Sequence, residues 1–146
     1  MKKLILFSFL LVIATGFAQK KNEPKSIISG DVGIKKYHNK EELYRMEKGE
    51  LLGLYIERIE SLVKTLPYIA FATKPGKTMS TYGIPNTKEN RNTLEDKEEA
   101  TVDFLEITME FQKKMLPYSD KSNLIAAILF YEETMKSLHE YNEFDQ

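Results

Sequence analysis

Two Leu-Pro-Tyr sequences, Leu66-Pro67-Tyr68 and Leu116-Pro117-Tyr118, punctuate this chain fifty residues apart. Each follows a Glu and a Lys spaced by four, Glu60 with Lys64 and Glu110 with Lys114. Glu before Lys at that spacing is the favourable order on a helix, and Lys in the last turn faces the negative end of the dipole. Proline then closes the helix. The two marks cut the chain into helical lengths, and no stretch shows the sustained alternation of a strand. The pattern predicts an all-α helical bundle of three long helices plus one short helical element, behind a flexible basic N-terminal arm. The echo reads either as shared helix-ending chemistry or as the relic of a duplication.

The first long helix is expected to enter at Asn39, with Glu42 completing a capping box. Leu43, Leu51, Leu52, Tyr55, Ile59, Leu62, Val63 and Leu66 then recur at helical spacing. Gly49 and Gly53 weaken it but would admit a neighbouring backbone, and Pro67 biases Leu66 away from the α region. In the connection over 67–86, Thr78 to Tyr82 reads as a short helical turn with Gly83 as its left-handed cap. A second helix opens at Asn86 or Thr87. Its first half carries Leu94 as its one large apolar residue, whereas Val102, Phe104, Leu105, Ile107, Met109, Phe111, Met115 and Leu116 cover most of the circumference of the second. A helix apolar on most sides has neighbours on more than one side, so this one is expected at the centre of the bundle. After Pro117, a last helix runs from about Lys121 to Asn142 on Leu124, Ile128, Tyr131, Met135 and Leu138.

The chain's opening has a different character. Lys2 and Lys3 precede a nearly unbroken apolar run from Leu4 to Thr15, and Gly16-Phe17-Ala18 supplies small residues before Gln19. Residues 1–18 thus read as a secretory signal peptide, too short in its apolar run for a membrane span. Residues 19–38 form the polar arm and residues 39–146 a single helical domain. The reading implies Sec-type export to the periplasm or the extracellular space, without membrane insertion after cleavage. With no cysteine, the signal lacks a lipoprotein's acceptor, and thiol catalysis, c-type haem attachment and zinc-thiolate sites are excluded. Without residues 1–18 the chain has 19 basic and 22 acidic side chains, because Lys2 and Lys3 leave a total of 21 basic. That balance gives no electrostatic reason to bind nucleic acid. The arm is basic and residues 132–146 are acidic, so the two either fold together or meet separate partners.

Candidate chemistry is sparse. His38, Glu132, Met135 and His139 could line a ligand or metal pocket, the last three sharing one helical face. Yet no His-Glu-x-x-His or Glu-x-x-His spacing supports a particular metal, and no cofactor is expected. Met46 and His139 would fall at opposite ends of the bundle, which disfavours them as haem ligands. The carboxylates of Glu57, Glu60, Glu106, Glu110, Glu132 and Glu133 read as solvated rather than as a di-iron set. Tyrosine is abundant and tryptophan absent. Tyr44, Tyr55, Tyr68, Tyr82 and Tyr118 are candidate contact residues, since tyrosine suits half-buried interfaces. The sequence therefore favours a non-catalytic binding module whose partner is another exported or envelope protein. A small-ligand or metal carrier is the alternative, and an enzyme with unassigned carboxylates is third.

Overall fold

The computed structural model describes residues 23–141, so the expected signal peptide and the last five residues lie outside it. Among the described residues the protein is all-α. Helix α1 spans Lys40–Arg45, α2 Lys48–Thr65, α3 Lys88–Met115 and α4 Lys121–Tyr141. Short 3₁₀ turns cover Leu66–Tyr68, Met79–Tyr82 and Leu116–Tyr118.

The expected first helix is two helices. Asn39 caps α1 with its side chain, accepting from the Glu42 amide at 2.8 Å, while the Glu42 carboxylate accepts from the Asn39 amide at 3.1 Å. Met46 then turns extended, at φ −74° and ψ 150°. Glu50 restarts the helix by accepting from the Glu47 amide at 2.8 Å. Both Leu-Pro-Tyr sequences end their α-helices as expected, at Thr65 and Met115, but Leu66, expected outside the α region, stays in it as Leu116 does, and each helix tightens into a 3₁₀ turn. Proline is tolerated there because it falls in the last turn, where its missing amide forfeits a single bond and the helix ends within two residues. The two copies then diverge in burial, Leu116 being buried and Leu66 42% exposed.

Helix α2 forms the centre, with α3 and α4 both packed on it and scarcely touching one another. This corrects the expectation that the second long helix is central. Lys48, at the start of α2, donates to the Pro117 carbonyl at 2.7 Å beyond the end of α3, so these helices run antiparallel. Helix α4 runs parallel to α2. Lys121 reaches the Tyr44 carbonyl at 2.8 Å just before α2 begins, and Arg58 meets Glu132 halfway along. The main core gathers Leu43, Leu51, Leu116, Leu124, Ile125 and Ile128. Gly49 and Gly53 face open space, not the close neighbour their size would admit.

The described part of the arm is folded onto the bundle. Ile27 and Ile28 are buried, and the Ile27 amide donates to the Lys77 carbonyl at 2.8 Å. Lys25 pairs with Glu95 on α3 at 2.8 Å. Lys136 of α4 lies over the Tyr37 ring, 5.3 Å from its centroid.

Candidate interaction face and the buried polar cluster

Arg58 lies on the inner stripe of α2 between Leu51 and Leu62, and Glu132 on that of α4 between Ile128 and Met135. The spacing that buries those apolar neighbours also buries the two charges. Both are essentially inaccessible. Glu132 Oε1 accepts from Arg58 Nε at 3.0 Å and Nη2 at 2.6 Å, a charge-assisted pair of the strong kind. Glu132 Oε2 accepts from the His38 amide at 2.6 Å, and His38 Nδ1 lies 3.1 Å from Oε1. Arg58 Nη2 also donates to the Lys36 carbonyl at 2.7 Å, and its Nη1 meets Glu57 at 3.0 Å. The cluster ties the arm, α2 and α4 together.

This geometry revises the reading of Glu132 as a solvated carboxylate. Of the alternative pocket of His38, Glu132, Met135 and His139, the first two are hydrogen-bonded to each other. Arg58 occupies the cationic position between them, and Met135 is core at 1% exposure. His139 lies beyond Met135 toward the end of α4, whereas Met46 packs on the main core at the opposite end. No group of three His, Cys, Asp or Glu among the described residues could hold a metal ion. The cluster's chemistry is that of a strap.

The five candidate tyrosines do not share one face. Tyr55 is half-buried between α2 and α4, where its hydroxyl accepts from Tyr131 at 3.3 Å and the ring centroids lie 5.5 Å apart. Burial and that bond push the Tyr131 hydroxyl up to about 12. Tyr44 is half-exposed on α1, and Tyr82 packs edge-on against Phe71 at 5.7 Å. Tyr68 lines a cleft between the arm, the 69–85 connection and the first half of α3. One lobe holds about 150 Å³, with Lys64 and Glu98 on its wall. The other holds about 220 Å³ among Ile27, Phe71, Met79, Ile84 and Leu94. Burial raises the Tyr68 pKa, assisted by the Glu98 charge. Tyr118 is 87% exposed, at the end of α3.

Tyr118 extends a surface that the tyrosine count alone does not disclose. Helix α3 buries Thr101 and Leu105 toward α2 and leaves Phe104, Ile107, Phe111 and Met115 exposed by 55, 72, 58 and 51%. Their spacings of three, four and four place them on one side of the helix, as a ridge about 17 Å long. Single exposed apolar residues are ordinary, but a contiguous run marks a contact surface. The arrangement is a small helical bundle with one long helix half-covered. No family model matches the chain, and neither a curated protein nor a solved structure is significantly similar to it.

Proposed function

We propose that the protein is an exported, non-catalytic binding module that docks another envelope or extracellular protein on the exposed ridge of α3. The carrying observation is the unmet half of an apolar helix. The composition of the second half of α3 calls for neighbours on two sides, and the described residues supply α2 on one. The missing neighbour is the partner. No described helix is long and apolar enough to cross a membrane, which agrees with an aqueous partner.

The test is recovery of the protein from its own cells in wild-type and Ile107→Glu/Phe111→Glu forms, followed by native mass spectrometry. The reading expects a stoichiometric additional chain with the wild type and none with the variant. The same added mass on both forms overturns the ridge as the docking face, and the bare chain in both overturns the function. A second reading, a small-ligand carrier, draws on the apolar lobe beside Tyr68 and predicts an added mass below that of any protein, abolished by filling the lobe with Leu94→Trp.

A further inference from the structure

The ridge is flanked on one side by a regular line of acids. Asp103 precedes Phe104, Glu106 precedes Ile107 and Glu110 precedes Phe111, with Glu99 one turn earlier. One residue is about 100° of helix, so these four acids form a second stripe parallel to the ridge. All four are exposed. Some acids elsewhere find cations within the chain, as in Glu60–Lys64, Glu133–Lys136, Lys25–Glu95 and Lys36–Glu42. None of the four on α3 has an ion pair among the described residues, although like charges three and four apart disfavour the isolated helix. The opposite flank, Thr108 and Gln112, is uncharged.

From this juxtaposition we infer that the α3 ridge receives a basic amphipathic helix of another protein. Its apolar stripe lies on Phe104, Ile107, Phe111 and Met115, and its Lys or Arg residues meet Asp103, Glu106 and Glu110. The inference rests on the α3 docking reading above and adds the chemistry of the occupant. A second copy of this chain is the weaker match: along the ridge its α3 offers only Lys113 and Lys114, both at the C-terminal end, against these four acids. The mode is the familiar one of a helix laid on an apolar surface, with charge fixing its choice and orientation.

The chain has no tryptophan, so one Trp in a probe peptide reports binding without background. The probes are an amphipathic Leu/Lys helical peptide of about four turns and its Leu/Glu counterpart, titrated by fluorescence anisotropy. The expected result is a preference for the Leu/Lys peptide by roughly tenfold or more, shrinking as salt is raised toward about 0.5 M. Glu106→Lys/Glu110→Lys should invert the preference, and Ile107→Glu/Phe111→Glu should abolish binding of both. Circular dichroism confirms that each variant is folded. Equal binding of the two peptides that still needs Ile107 and Phe111 overturns the basic partner but leaves the docking face standing. Binding indifferent to Ile107 and Phe111 overturns both. Binding of neither peptide overturns the inference, as does a dimer by light scattering that Ile107→Glu dissolves.

Discussion

Arg58 and Glu132 are each surrounded by residues that belong in a hydrophobic core, and each is tolerable there only because of the other. Removing one charge from such a pair leaves the second buried without compensation, which costs about 3–5 kcal/mol. Glu132→Gln should therefore lower stability by that amount in urea unfolding. Arg58→Met/Glu132→Leu should cost much less than the sum of its two single substitutions, because it removes both desolvated ions. Tyr131 supplies a pH-dependent counterpart. Its pKa rises from the ordinary tyrosine value of 10.0 to about 12 in the folded protein, so between those values the unfolded chain ionises first. Stability should fall over that interval, and the unfolding midpoint of Tyr131→Phe should fall less steeply with pH. The buried pair had a sequence signature: an arginine on one apolar stripe and an acid on another. What hid it is that a polar residue at a stripe's margin reads as solvated until the neighbouring helix is placed. His38 was paired with Glu132 in sequence as a pocket residue, but its burial beside Arg58 depends on the arm's long-range path over α2 and α4.

At the scale of elements, glycine distinguishes local propensity from demanded geometry. Gly53 lies inside α2 with open space where a Cβ would go, so Gly53→Ala should stabilise the protein by about 1 kcal/mol in thermal unfolding. Gly83 ends the 79–82 turn at φ +71°, and its amide bonds back to the Ser80 carbonyl. Gly83→Ala should destabilise by about 1 kcal/mol, because a side chain is strained in the left-handed region. That cap was legible in the sequence, as were the last two long helices and their ends to within a few residues, and the C-terminal end of the first. The break at Met46 was less so, since Glu47 and Glu50 resemble ordinary helix-surface acids unless one asks where the orphan amide of Glu47 finds an acceptor. The repeated Leu-Pro-Tyr endings show how far a local pattern reaches: both form the same 3₁₀ turn, yet the surroundings bury Leu116 and expose Tyr118 while half-burying Tyr68.

For the whole molecule, the consequential feature is which helix stands in the middle. The periodicity of α3 asks for two neighbours, and sequence alone cannot say whether both lie in the same chain. Helix α4 instead lies on α2, through the Arg58–Glu132 pair and the Tyr55–Tyr131 contact, and among the described residues α3 is left with one bare side. The ridge therefore contributes little to the fold. Ile107→Glu should change unfolding free energy by no more than about 0.5 kcal/mol, as surface substitutions do, while removing the bound partner. Hydroxyl-radical footprinting of the monomeric protein reads the exposure of the ridge, because Met115 and Met135 serve as matched internal probes, one half-exposed and one at 1% exposure. An open α3 ridge predicts rapid oxidation of Met115 together with Phe111, and protection of Met135. Protection of Met115 equal to that of Met135 would mean that the chain covers its own ridge, and would contradict a docking face on α3.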